Sequence, residues 1–271
     1  MNGRSQSIEP GPATLPPADI RLLGLGGLPE VRPGDDLNAL IGNAIEGSGV
    51  GLHAGDVIVV THKIVSKAEG RLVRLTEIAP SALAARFAAE WAKDPRQVEV
   101  VLREAKRIVR MDRGVIIAET HHGFVCANAG VDASNVEADT VCLLPRDPDA
   151  SAAGIRSFLI GRFNLTPEAP LGVIVSDSFG RPWRNGIVNV AIGVAGIAPL
   201  ADYRGQYDAS GYELRVSVLA VADELAAAAE LTMNKLDQRP VVIVRGYQPP
   251  TTTPPGTGRD LVLDPARDLF R

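Results

Sequence analysis

The sequence predicts an α+β fold, or an irregular mixed α/β one, in preference to a doubly wound sheet. Three observations lead there. Short apolar runs bounded by turn residues, at Val57–Val60 and Val241–Val244, read as buried strands. Other stretches carry helical periodicity, with Leu83, Phe87 and Trp91 recurring every four residues. Strand-like and helix-like segments do not alternate as a regular β-α-β repeat would.

The elements follow in chain order. Residues 1–17 are rich in proline and poor in large apolar side chains, so they are expected to be disordered. The globular pattern begins near Ile20, giving a domain expected over 18–248. Gly55-Asp56 leads into the strand at Val57–Val60. A helix carries Leu83, Phe87 and Trp91. Asp94-Pro95 starts a second helix, with Asp94 as N-cap and an apolar stripe of Val98, Val101, Leu102 and Ala105. Val115–Ala118 and Phe124–Ala127 read as strands joined by a turn at His121-His122-Gly123. Asp147-Pro148 opens another capped helix bearing Ile155, Phe158 and Leu159. Val173–Ser176 reads as a strand ending at Asp177. From Val188 to Val194 the large branched residues are expected on one face, and Leu214, Val216 and Val218 alternate in the same way. An alanine-rich helix at 220–232 precedes the strand at Val241–Val244. Proline and glycine make 249–271 a tail.

Composition narrows the function. Lys and Arg number 28 against 32 acids, a net charge of −4, which lacks the basic footprint of a nucleic-acid binder. No apolar run reaches the ~18 residues of a membrane span. The two cysteines, Cys126 and Cys142, are too few for a disulfide framework, which implies a reducing, cytoplasmic setting.

Several segments carry chemistry. Gly24-Leu25-Gly26-Gly27-Leu28-Pro29 superficially matches a dinucleotide loop, but Pro29 stands where the last glycine is required. No P-loop motif occurs. His121-His122 reads as a surface turn rather than a metal site, since adjacent side chains diverge on a strand. Lys63–Arg71 follows a strand and offers Ser66, Lys67 and Arg71 to an anion, although a solvated charge run would look the same. In Cys126–Asn135, small residues surround Asp132, a hard oxygen ligand suited to Mg²⁺ or Mn²⁺, and Asn135, which suits a nucleotide; an Asx-type turn is the alternative. Ser176–Gly186 places an acid and hydroxyls at a strand end, beside Arg181 and Arg184, which suit bidentate capture of phosphate or carboxylate.

Together these segments resemble the coenzyme F-420-0:L-glutamate ligase family. The resemblance spans about residues 20–247 through GLPEVRPGDDL, GDVIVVTHKIVSKAEGR, NAGVDASNV, LLPRDPDASA, SDSFGRPWRNG, VAIGVAGI, ADELAAAAELTM and PVVIVRG. It implies a fold of the family's own, a homodimer, and a GTP-dependent ligase. Such an enzyme joins L-glutamate to a deazaflavin precursor through an acyl phosphate. By position, the resemblance implies that Asp132 and Asp177 hold a divalent cation and that Ser178 contacts a second. It also implies nucleotide contacts from Pro29, Glu30, Val31, Arg32, Ser66, Lys67, Arg71, Asn135 and the Met233-Asn234-Lys235 segment. Arg181 and Arg184 are assigned on chemistry alone. Longer actinobacterial members carry a nitroreductase-like second domain, which is expected to be absent from this sequence. One departure matters: many members read Met-Gly-Gln or Met-Gly-Glu where this chain reads Met233-Asn234-Lys235. A protonated Lys235 cannot ligate a metal, so it is expected to bring its own charge to phosphate. The alternative is a protein that binds deazaflavin or nucleotide without turnover.

Overall fold

A computed structural model describes residues 18–249 and 253–269. The disorder expected at 1–17 lies outside them. The described chain contains twelve strands and six α-helices. In order these are β1 (Arg21–Leu25), α1 (Leu37–Ser48), β2 (Val57–Thr61), α2 (His62–Ala68), β3 (Leu72–Arg74), α3 (Ala82–Trp91), α4 (Pro95–Glu104), β4 (Ala105–Asp112), β5 (Val115–Thr120), β6 (Val125–Ala127), β7 (Thr140–Cys142), α5 (Pro148–Arg162), β8 (Gly172–Arg181), β9 (Arg184–Ala195), β10 (Ala201–Asp202), β11 (Val218–Leu219), α6 (Val221–Met233) and β12 (Val241–Arg245).

The main sheet has the order β1-β12-β2-β8-β9 and is mixed: β2 and β8 run parallel, and the other pairs run antiparallel. This is the irregular α+β arrangement expected. Both faces of the central strands are covered, which explains their continuous apolar runs. On one face Ile58, Val60, Val173 and Val175 pack with Ile41 and Ile45 of α1 and Ile155 and Leu159 of α5. On the other, Val57, Val59 and Ile174 pack with Leu225, Ala226, Ala229 and Met233 of α6. A third core joins α3 and α4 to the three-stranded antiparallel sheet β4-β5-β6 through Phe87, Val101, Ile116 and Ala118.

Helix starts follow their caps. Asp36, Ser81, Asp94 and Asp147 each accept a backbone N–H from the first turn of α1, α3, α4 and α5. Five expectations change. The stripe assigned to α4 loses Ala105, which begins β4, while Leu83 on α3 is exposed. The strand expected to end at Asp177 continues to Arg181 and turns back as β9. In β9 the branched residues do not share one face. Val175 pairs with Gly193 and Ser176 with Ala191, so Ile192 is an extra residue in a bulge. Side-chain parity switches there: Ile192 joins the core under α5, and Val194 joins the core under α6. The alternating Leu214–Val218 segment forms strand only at Val218–Leu219, and Val216 is exposed, because no sheet face lies beside it to bury it. Within the proline-rich end, Gly256 donates to Ile197 O and Gly258 to Asp149 Oδ1, which seats that stretch against β9.

One buried ion pair ties the start of β2 to the end of its neighbour β12. Arg245, at the end of β12, grips Asp56 with two hydrogen bonds of 2.8 Å, and Asp56 is only 1% exposed. The same guanidinium donates to Val50 O and Gly51 O. Removing one partner strands a buried charge. Arg245→Met is therefore expected to cost about 3–5 kcal/mol in chemical denaturation; a loss below about 1 kcal/mol would show that the pair behaves like a surface one.

Candidate active site

The parallel pair fixes where the site lies. Thr61 pairs with Ser176, so the residues that follow, His62 and Asp177, emerge side by side at the end of β2, where its parallel pairing with β8 stops. That edge is where α/β sheets commonly bind ligands. A cavity of about 840 Å³ opens there, large enough for a nucleotide-sized ligand. Its wall combines Leu28–Val31, the start of α2, the Asp132–Asn135 loop, the β8–β9 hairpin and the segment from the end of α6 to Pro240.

The polar lining is a set of opposite charges. Lys63 Nζ lies 2.7 Å from Asp132 Oδ2 and also donates to Ser134 Oγ. Ser134 donates its backbone N–H to Asp132 Oδ1 at 2.7 Å. Burial alone would raise the Asp132 carboxyl, but Lys63 and Ser134 together hold it below its usual value. Lys67 is nearly buried and pairs with the exposed Glu30. Lys235 Nζ bridges two groups, donating to Ser178 Oγ at 2.8 Å and lying 2.9 Å from Glu230 Oε1. Ser178 Oγ in turn donates to Asn189 Oδ1, whose amide donates to Glu230 Oε2. Among the described residues Arg239 has one loose ionic partner, Asp237 at 3.8 Å.

Asp177 differs from the other carboxylates in the wall. No ammonium or guanidinium pairs with it among the described residues. Its Oδ1 accepts from Ser178 N at 2.7 Å and lies 3.2 Å from His62 Nε2. Cys126 is buried nearby. Burial, with the negative charge of Asp177 adding, pushes its thiol up to about 12, so it is not a nucleophile at neutral pH.

The structure brings together Pro29, Glu30, Val31, Lys67, Asp132, Asn135, Asp177, Ser178, Met233, Asn234 and Lys235. It leaves five predicted residues outside the cavity wall. Arg32 lies in a shallow groove on the outer side of its segment. Ser66 is fully buried behind His62. Arg71 sits beyond the far end of α2, where Glu104 and Leu144 O hold it. Arg181 caps the hairpin turn by donating to Asn185 O, and Arg184 is exposed beside it, because the strand outruns the cavity. The His121-His122 pair is a turn, as expected: both rings meet backbone carbonyls. His62, Lys63, Ser134, Asn189, Glu230 and Arg239 line the cavity without having been singled out. Asn189 and Glu230 did carry a signal, as polar residues inside an apolar strand and an alanine-rich helix.

Such a fold and site define a class: an α+β protein that gathers lysines and carboxylates at the ends of a parallel strand pair, suited to an anionic ligand. Residues 26–246 match the F420-0:Gamma-glutamyl ligase family. The chain belongs to that family. It is 45% identical to the coenzyme F420:L-glutamate ligase of Methanopyrus kandleri, over 91% of this chain and all of that protein. Its identity to the enzyme of the same name from Methanothermobacter thermautotrophicus is also 45%, over 93% of this chain and 99% of that one. The likeness to the Methanocaldococcus jannaschii enzyme is again 45%, over 80% and 85%.

The departure at Asn234 has a structural cost. Asn234 closes α6 at φ 49° and ψ 178°, a conformation in which a side chain is strained and glycine is not. Its amide donates to Asp237 Oδ2, which offsets part of that strain. Asn234→Gly is expected to raise stability by about 1 kcal/mol, read as a higher denaturation midpoint; a lower midpoint would mean the Asp237 contact dominates.

Proposed function

We propose that this protein is a ligase that joins L-glutamate to the coenzyme F-420-0 deazaflavin precursor, with GTP as co-substrate. Family membership and the names of its relatives support the ligase activity. GTP, the acyl phosphate and the residue roles are part of the proposal. The observation that carries it is the pairing pattern in the cavity. Three lysines are held there by carboxylates, while among the described residues no lysine or arginine pairs with Asp177.

A carboxylate is a poor electrophile until one oxygen becomes a leaving group. In the proposed reaction the γ-phosphoryl group of GTP passes to the precursor's terminal carboxylate, giving an acyl phosphate and GDP. The amine of glutamate then attacks the acyl carbon, loses a proton and expels phosphate, leaving an amide. Later rounds would extend the chain through γ-linked glutamates. Such chemistry depends on positioning and charge neutralisation rather than a protein nucleophile.

The donors present fit a hard divalent cation. Asp132, Asp177 and Ser178 offer only oxygen, and Mg²⁺ or Mn²⁺ is commonly held by one or two carboxylates with phosphates completing the shell. Among the described residues no three His, Cys, Asp or Glu converge as a closed metal cage. The cation, when bound, would neutralise phosphate charge and orient the transferring group. In this reading Lys63 and Lys67 exchange Asp132 and Glu30 for ligand phosphates. Lys235 supplies a fixed positive charge beside Ser178. Arg239 takes the anchoring role that chemistry alone assigned to Arg181 and Arg184, because it faces the cavity with a weak partner. Homodimerisation, implied by the resemblance, belongs to the same proposal, and Ile187 at the mouth is an exposed apolar residue that a second subunit would cover.

Incubation with F-420-0, GTP, L-glutamate and Mn²⁺ is expected to add one or more glutamyl units by mass, with phosphate released only when glutamate is present. Phosphate release without glutamate would indicate a phosphatase, a stable phosphorylated precursor with no amide formed would indicate a kinase, and neither would indicate a binding protein. Lys235→Ala is expected to weaken GDP binding about tenfold, as charge-assisted contacts to phosphate are worth roughly 1.5–3 kcal/mol. Unchanged affinity by calorimetry would remove Lys235 from the nucleotide site.

A further inference from the structure

His62 is among the largest fully buried side chains in the protein, at 2% exposure. A histidine in that setting must satisfy both ring nitrogens. Its Nε2 lies 3.2 Å from Asp177 Oδ1, and its Nδ1 lies 3.3 Å from Ser66 Oγ. A carboxylate oxygen can only accept, so Nε2 carries a hydrogen, and in the neutral ring Nδ1 accepts from the Ser66 hydroxyl. Ser66 is itself fully buried one turn further along α2. The imidazole is thus clamped between a fixed hydroxyl and a carboxylate at the cavity wall.

The effect falls on Asp177. Its Oδ1 accepts the Ser178 backbone N–H, and His62 Nε2 stands 3.2 Å from the same oxygen. No hydrogen bond engages Oδ2 among the described residues. A carboxylate oxygen met by a backbone N–H from its own strand and by an imidazole nitrogen from α2 is restricted in how it can turn. The other oxygen keeps both lone pairs for whatever enters the cavity.

We infer that His62 is a positioning residue for the ligase reaction: it locks Asp177 through Oδ1 so that Oδ2 alone is presented to the ligand. The inference deepens the proposed function and rests on its assignment of Asp177 to the cation and phosphate site. The register of β2 on β8 supplies the geometry without any loop having to fold over the site. The same ring could not act through Asp132, which is held instead by Lys63 and Ser134.

Two variants separate hydrogen bonding from packing. Gln places an amide nitrogen close to the position of imidazole Nε2, whereas Leu fills the space without a donor. Crystal structures of the metal-free parent, His62→Gln and His62→Leu would be compared. Mn²⁺ affinity would be measured in parallel, by electron paramagnetic resonance with GDP present. His62→Leu is expected to let Asp177 rotate away from its present Oδ1 contacts. The same change is expected to weaken Mn²⁺ binding about ten- to hundredfold, with His62→Gln restoring it to within about threefold. If Leu will not fold there, His62→Asn can still meet Ser66 but is too short for Asp177, and is expected to behave as Leu does. The inference is overturned if Asp177 keeps its orientation in the donor-free variants, or if Gln is as impaired as Leu. A parent that takes up no Mn²⁺, with Asp177 still turning in the Leu variant, would support the positioning role and refute the cation assignment instead.

Discussion

Everything at the site depends on one pairing, the parallel register that sets Thr61 against Ser176. Neighbouring strands lie about 4.8 Å apart, so whatever follows the two ends is brought within hydrogen-bonding reach. Here one chain turns into α2 and the other continues into a hairpin, and their first residues beyond the register, His62 and Asp177, touch. A parallel pair also demands a long crossover. This crossover, 62–171, holds the second sheet and returns the Asp132 loop to the same edge, where Asp132 and Cys142 exchange backbone hydrogen bonds of 3.0 and 2.8 Å. A single strand pairing therefore fixes one carboxylate directly and leads the second to it.

The rest of the molecule can be seen as holding that edge still. The two faces of the sheet are packed by different helices, α1 and α5 on one side and α6 on the other, so the strands cannot slide. The bulge at Ile192 changes which side chains of β9 face which helix. Beyond it the hairpin faces solvent and cavity, so Ser178 and Asn189 can be polar. Helix α6 ends at the cavity, and its last turns deliver Glu230 and Met233 to the wall, with Lys235 just beyond.

The parts of the fold that were legible in sequence are those whose signal is local. Capping aspartates announced α4 and α5, and continuous apolar runs announced β2, β12 and the start of β8. Helix α1 and strand β1 passed unnoticed, since glycines interrupt both and β1 owes its existence to pairing with β12, where Leu25 meets Val241, 216 residues further along the chain. The same limit applies at the site. Asp132, Asp177 and Lys235 stand in recognisable motifs, and the structure gathers them. Arg71 also stood in such a motif, yet the length of α2 carries it past the cavity to Glu104. Arg181 and Arg184 failed for a different reason: a strand end was inferred where apolar residues stop, but pairing with β9 continued through polar ones. His62 gave no motif at all, because its role lies in which residue sits beside it across the sheet.

Cys126 and Cys142 are both buried, and burial is the leading cause that raises each thiol. At neutral pH a thiol pushed up to about 12 exists as thiolate in only about one part in 10⁵. The folded protein is in effect silent toward maleimides and iodoacetamides. A single cysteine introduced at an exposed position, such as the hairpin tip at Trp183, would then be the one fast-reacting thiol, so a spectroscopic label could be placed on the hairpin that leads away from the cavity without first removing the native pair.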